Sequence, residues 1–333
     1  MCHQILLSRA IDCWVLSPFV LFGSVMRMWC CHFFRRSRTG FLLVSQSRQG
    51  NVLGVYAGLG NLAPGIFSFL IPVALKFLGF AGSYLAWLIF LIVGTVVYWR
   101  IGRNAWYFQL KSQGLTPESA KQLASQQYGQ EIFPKGNFTE SLRISAKRWK
   151  TGCLVAIYFT TFGGFIALTA WFPTYWKSFY SSNGVTAGTL TALYSILTSL
   201  VRVAAGNFSD RWGGERILIG SLFMMLIGSV LMFQSQDFIL SLIAAITLAI
   251  GMGASNAAVF KLVPQEIPDA VGGAAGWVGG LGAFGGFVIP PLMATIVRQQ
   301  GEMGYAHGFI IFGILSLVSL LIAVILKQQH EPS

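Results

Sequence analysis

Charge is scarce in this chain: Asp, Glu, Lys and Arg make up 10% of its 333 residues, against 54% apolar residues. A soluble globule carries about 25% charged residues, so a water-soluble fold is excluded and the positive mean hydropathy follows. Acidic residues are scarcer still, 11 against 23 basic ones. The resulting pI near 9.7 does not indicate nucleic acid, because the basic residues fall between apolar runs instead of gathering on one polar face. Cysteine is sparse and lopsided: Cys2, Cys13, Cys30 and Cys31 are four of five. They show no disulfide framework, and neither a metal nor another cofactor is expected.

What is present in quantity is long apolar runs. A hydrocarbon core about 30 Å thick takes about 20 residues of helix. That yardstick gives eight spans, A to H, near 51–76, 80–99, 151–176, 185–207, 217–235, 238–260, 268–297 and 306–327. The expected fold class is an all-α polytopic membrane protein. Basic residues between B and C (Arg100, Arg103, Lys111, Lys121, Lys135, Arg143, Lys147, Arg148, Lys150) outnumber Glu118, Glu131 and Glu140. By the positive-inside rule this segment is cytoplasmic. Alternation then puts Arg35, Arg36, Arg38, Arg48, Arg211, Arg216, Lys261, Lys327 and the C-terminal tail inside, and leaves Lys76, Lys177 and Arg298 outside. The sequons at Asn137 and Asn207 fall on the inner side and are expected to be silent.

The chain divides into an atypical segment 1–47, spans A and B in 48–99, a central loop 100–150, a six-span unit 151–327 and a tail 328–333. In the loop, "TPESAKQLASQQYGQ" predicts a surface helix capped by Thr116, with Pro117 in its first turn, and "SLRISAKRWK" predicts a basic one leading into C. Both read as membrane-surface spacers. Sliding the chain on itself places "GVYAGLGNLAPGIFSFLIP" of A on "GGAAGWVGGLGAFGGFVIP" of G without a gap. Two six-helix halves related by a repeat would make A the fifth helix of a twelve-helix fold and H the twelfth. Residues 1–47 do not fit that frame. Two readings stand: translation out of frame or from a displaced start, and one divergent span with Cys30 and Cys31 palmitoylated beside an arginine cluster.

Within D, Arg202 is the residue to explain, because a guanidinium in hydrocarbon costs about 2.5–3.5 kcal/mol on insertion scales. Helical spacing puts it on one stripe with Thr191, Ser195, Thr198, Ser199 and Gly206, away from Leu193, Leu197, Leu200 and Val201. Such a stripe faces the protein interior or a wet cavity, where an arginine meets an anion; snorkelling to the inner interface is the competing reading. No span holds Asp or Glu away from its ends, which argues against a proton relay of the carboxylate kind. Glycines at Gly54, Gly58 and Gly60 in A, and at Gly272, Gly276, Gly279, Gly280 and Gly282 in G, allow close helix approach and narrow a cavity. Pro64, Pro72, Pro290 and Pro291 are expected to kink their helices. The loop "GNFSDRWGGER" lets Asp210 approach a neighbouring helix N-terminus and Arg211 or Arg216 pair with carboxylates, an arrangement suited to gating.

Gly206, Asp210, Arg211, Gly213 and Arg216 are similar to the inner-loop motif of the major facilitator superfamily. "AGLGNLAPG", "GGAAGWVGGLGAFGGF", "GASNAAVFKLVP" and "YFTTFGGFIALTAWFP" resemble signatures of its nitrate/nitrite porter family, over Arg48 to about Lys327. The resemblance implies a multi-pass carrier of the cytoplasmic membrane with eight helices corresponding to helices 5 to 12. It is expected to serve nitrate assimilation by moving nitrate, nitrite or both, with no further partner beyond the bilayer and a monomeric state. It further implies a planar anion held by two arginines, with Arg202 as that of the second half, Tyr158 and Phe162 as flanking aromatics, and Asn61 and Asn256 as site asparagines. The first-half arginine belongs to a helix not among the eight, so this chain is expected to be an incomplete and inactive version. A carrier of another small anion and a non-transporting interaction protein are the alternatives.

Overall fold

The computed structural model describes residues 49–102, 105–130, 133 and 138–329. The segment 1–47 with its four cysteines, the loop residues Arg103, Glu131, Lys135 and Asn137, and the end of the tail lie outside the described residues. Every regular element among those described is helical. In order they are α1 (Gln49–Ile101), α2 (Trp106–Ser112), α3 (Pro117–Tyr128), α4 (Phe138–Ala146), α5 (Trp149–Tyr158), a π turn (Phe159–Gly163), α6 (Gly164–Phe179), α7 (Gly184–Trp212), α8 (Gly214–Gln234), α9 (Phe238–Glu266), α10 (Val271–Ala283), α11 (Gly285–Gln300), α12 (Gly304–His307) and α13 (Ile310–Gln328).

By length and apolarity, seven continuous helical runs among the described residues qualify as membrane spans. The first is two spans in one. Gly79 adopts φ 66° and ψ −177° within α1, a conformation that a side chain would resist. The chain reverses there: Phe67 meets Trp87 with ring centroids 3.9 Å apart and Phe90 at 5.7 Å. A straight helix would separate Phe67 from Trp87 by about 30 Å. Eight span-length segments therefore result, in register with A to H. The chain is a multi-pass membrane protein.

Helix ends follow local chemistry. Thr116 caps α3 by accepting from the Ser119 amide, and Gly129 closes it in the left-handed region at φ 63°. Asn183 and Asp237 cap α7 and α9 in the same way. Two spans run further than hydropathy indicates: α7 continues to Trp212 and α9 to Glu266, which brings Asp210 and Lys261 into helix. The kinks fall elsewhere than expected. Pro64 and Pro72 sit inside α1 with helical backbone around them, and the break in span G is at Phe284, ahead of Pro290 and Pro291.

The packing centre is aromatic, with Phe165, Phe172, Tyr175, Trp176, Phe309 and Phe312 almost wholly buried. The first arm of α1 lies along α7 through small residues. A Cβ on Gly58 would come within 2.6 Å of Val203 Cγ2 and 2.8 Å of the Ser199 carbonyl, and Gly206 touches the Gly50 backbone. Contacts this close replace the hydrophobic drive that lipid does not supply. The second arm, by contrast, exposes Phe80, Tyr84, Leu85, Leu88, Phe90 and Trp99.

The central loop is more structured than a spacer. Leu110, Ala120 and Ala124 form a small core of α2 and α3, and Trp106 stacks on Tyr128 at 4.0 Å. The basic helix α4 is hydrogen-bonded to span G, since the Gly273 amide donates to Ser141 Oγ and Trp277 Nε1 to the Leu142 carbonyl, each at 3.0 Å.

Candidate functional site

The polar stripe of α7 faces inward: Thr191, Ser195, Thr198, Ser199, Arg202 and Gly206 are buried, while Leu193 and Leu200 are exposed. Arg202 is 3% exposed and does not snorkel. Its Nη2 donates to Tyr158 Oη at 3.2 Å. With the amide oxygen of Asn61 turned toward the guanidinium, Nη1 donates to it at 2.9 Å, and the Asn61 amide nitrogen donates to the Ala57 carbonyl at 3.3 Å. Asn61 thus reaches Arg202 from the first arm of α1, across the α1–α7 seam.

Aromatic rings bracket the cation. The guanidinium carbon lies 5.7 Å from the Phe162 ring centre and 5.6 Å from that of Phe260. Cation–π contacts of this kind return about 1–2 kcal/mol each when desolvated, and offset part of the burial cost. Tyr158 stacks on Phe162 at 4.9 Å and meets Phe260 edge-on at 5.1 Å. Tyr158 immediately precedes the π turn and Phe162 lies within it; there Thr160 and Thr161 are buried and Ser319 Oγ donates to Thr160 Oγ1. A single π turn inside an α-helix recurs at functional positions.

The site is not complete in itself. Arg202 Nε and both side-chain atoms of Asn256, which is 0% exposed, have no hydrogen-bond partner among the described residues. Buried polar groups left open in this way mark a place for something that can pair with them. No carboxylate is paired with Arg202 among the described residues, whereas the next buried charge on α7 is fully matched.

That charge is Asp210. Its Oδ1 accepts from the Gly50 amide at 3.0 Å and its Oδ2 from the Asn51 amide at 2.7 Å, in the first described turn of α1. Lys261 Nζ lies 2.6 Å from Oδ1, both side chains largely buried. Asp210 thus meets the first described turn of α1, and the cation beside its carboxylate is Lys261 of α9, while Arg211 and Arg216 are exposed. The reason is helix length: α9 runs far enough for Lys261 to lie level with Asp210.

The predicted glycines divide. Gly54 and Gly58 pack on α7, and Gly282 on Tyr158, where a Cβ would come within 2.6 Å of the ring. A Cβ on Gly279 would lie 4.0 Å from Phe260 Cζ, and one on Gly60 would meet nothing within 4 Å, so Gly60 is not a packing position. Gly272 and Gly276 are half-buried and Gly280 exposed; the closest approaches of span G among the described residues are at Gly273, Gly282 and Gly285. Phe260, Lys261 and the π turn escaped the sequence reading. Phe260 was accessible in principle, since it sits four residues beyond Asn256 on the same helix face.

Residues 180–333 match the model of the Major Facilitator Superfamily. The human organic anion transporter MFSD10 (TETRAN) shares the fold, with a TM-score of 0.54 at 14% identity over 86% of this chain and 66% of that one. The matched segment is similar in sequence to the major facilitator superfamily, and the chain shares the fold of a solved transporter. The sequence relatives are named for nitrate and nitrite. The chain is 26% identical to the "Probable nitrate transporter NarT" of Staphylococcus epidermidis over 83% of its length and 65% of the relative's. It is also 26% identical to the "Nitrite extrusion protein" of Bacillus subtilis (86% and 65%) and to the "Probable nitrate/nitrite antiporter NarK1" of Thermus thermophilus (86% and 66%). It thus spans slightly under two thirds of the length of these relatives.

Proposed function

We propose that this chain belongs to a secondary transporter of nitrate, nitrite or both, working by alternating access in the cytoplasmic membrane. Its eight spans correspond to helices 5 to 12, and the central loop and C-terminus are cytoplasmic. Arg202 holds the anion, Tyr158, Phe162 and Phe260 wall the site, and Asn61 and Asn256 supply further hydrogen bonds. The Asp210–Lys261 contact with the first turn of α1 latches the inner end in one conformation. The relatives' names and the positive-inside count support this reading.

The observation that carries it is the state of Arg202: a buried guanidinium, bracketed by two rings, with an open donor and no carboxylate. Nitrate is flat and trigonal, and a planar fork of donors engages two of its oxygens where an ammonium would offer a point charge. One arginine arm of such a site is on α7.

The test is exchange in proteoliposomes loaded with nitrate and bathed in nitrite, with formate and chloride as competitors. Exchange that nitrate and nitrite saturate, and that depends on Arg202, supports the reading. Equal competition by formate or chloride makes the chain a carrier of another small anion. Neither exchange nor anion-dependent stabilisation leaves a non-transporting interaction protein.

A further inference from the structure

Helix α4 has two faces with different partners. Ser141 and Ser145 are buried, and the first of them takes the Gly273 amide, while the Leu142 carbonyl takes the Trp277 indole. Gly273 has to be glycine here, because a Cβ would collide with the Ser141 carbonyl. This face ties α4 to the start of α10. Just beyond it, Lys150 bonds to the buried Glu266, and Arg148 lies 3.6 Å from Asp269, so the entry to α5 is pinned to the end of α9.

The other face is open. Arg143, Ile144, Lys147 and Trp149 are exposed, Ile144 at 38% and Trp149 at 49%, with Glu140 the one carboxylate beside them in α4. Trp149 is the first residue of α5, a membrane span, so this face lies at the depth where that span enters the bilayer. Tryptophan and long basic side chains favour that depth, where an apolar body and a polar tip are both accommodated. Two cations with no ion pair among the described residues, separated by an apolar residue at headgroup level, complement a phosphodiester anion above an acyl chain.

We propose that the exposed face of α4 binds the headgroups of anionic phospholipids, and that this contact steadies the start of α10 through Ser141 and Trp277. The occupant is a lipid of the leaflet that α5 enters. The inference does not depend on which anion the carrier moves.

The test uses the purified full chain. Retained phosphatidylglycerol and phosphatidylcholine are counted by native mass spectrometry, and amide exchange across residues 271–277 is followed in vesicles of each lipid. The wild type should retain phosphatidylglycerol preferentially and show slower exchange in it. Arg143→Gln with Lys147→Gln should weaken phosphatidylglycerol retention on the order of tenfold and remove the added protection. Arg143→Lys, which keeps the charge, should behave as wild type and excludes misfolding as the cause. Equal retention of the two lipids, undiminished retention by the double variant, or the same loss in Lys111→Gln with Lys121→Gln would overturn the headgroup site. Unchanged exchange at 271–277 would overturn the link to α10.

Discussion

On α7, Arg202 is buried and Asp210, eight residues on, largely so, yet one is left open and the other is matched. Asp210 has two backbone amides and Lys261 around it. Arg202 has a phenol, an amide and two ring faces, none of them a counter-charge. The difference separates a contact that holds two helices together from one that is proposed to receive an anion. Burial by itself does not distinguish them; the inventory of partners does.

The comparison can be broken from either side. Lys261→Met should have the largest effect on stability, about 3 kcal/mol, because it strands a buried carboxylate. Thermal unfolding in detergent reads that loss, and Asp210→Asn added to it should recover a substantial part. Equal instability of the double variant would mean that Lys261 matters for packing rather than charge. Arg202→Gln should leave thermal stability in anion-free buffer within about 1 kcal/mol while lowering nitrate affinity roughly 10- to 100-fold, as expected for a lost charged hydrogen bond. Arg202→Lys should also lower nitrate exchange sharply, since a point charge cannot replace the fork. Near wild-type exchange by either variant would remove Arg202 from the site.

Smaller effects sharpen the picture. Gly58→Val forces a side chain into the Val203 and Ser199 contact and should cost about 2 kcal/mol of stability through overpacking. Tyr158→Phe removes one hydrogen bond to Arg202 and should weaken nitrate binding about fivefold, corresponding to about 1 kcal/mol. Gly60→Ala, with open space around the new methyl, should be neutral or stabilising by up to about 1 kcal/mol. A large loss there, measured by the same unfolding assay, would show that Gly60 packs in another conformation of the carrier.

Much of this was legible in the sequence because membrane helices obey few rules. Span positions follow from hydropathy, and the inward face of α7 follows from the spacing of Thr191, Ser195, Thr198 and Arg202. What escaped reading has physical reasons. Hydropathy ends a span where polar and charged residues begin to gather, which concealed that α7 and α9 continue as helices through Asp210 and Lys261. The π turn after Tyr158 leaves no compositional mark; it lies where Gly163 closely approaches Gly282 and Gly285. The docking of α4 depends on one serine and one glycine 132 residues apart in sequence, a pairing that only the tertiary fold reveals.

The central claim is that Arg202 is an open anion-binding cation, unlike the closed pair beside it. Nitrate-dependent thermal stabilisation of the full chain, compared between Arg202→Gln and the Asp210→Asn/Lys261→Met double variant, tests it most directly. A saturable nitrate shift that vanishes in Arg202→Gln and persists in the double variant is the expected result. An undiminished shift in Arg202→Gln would contradict it.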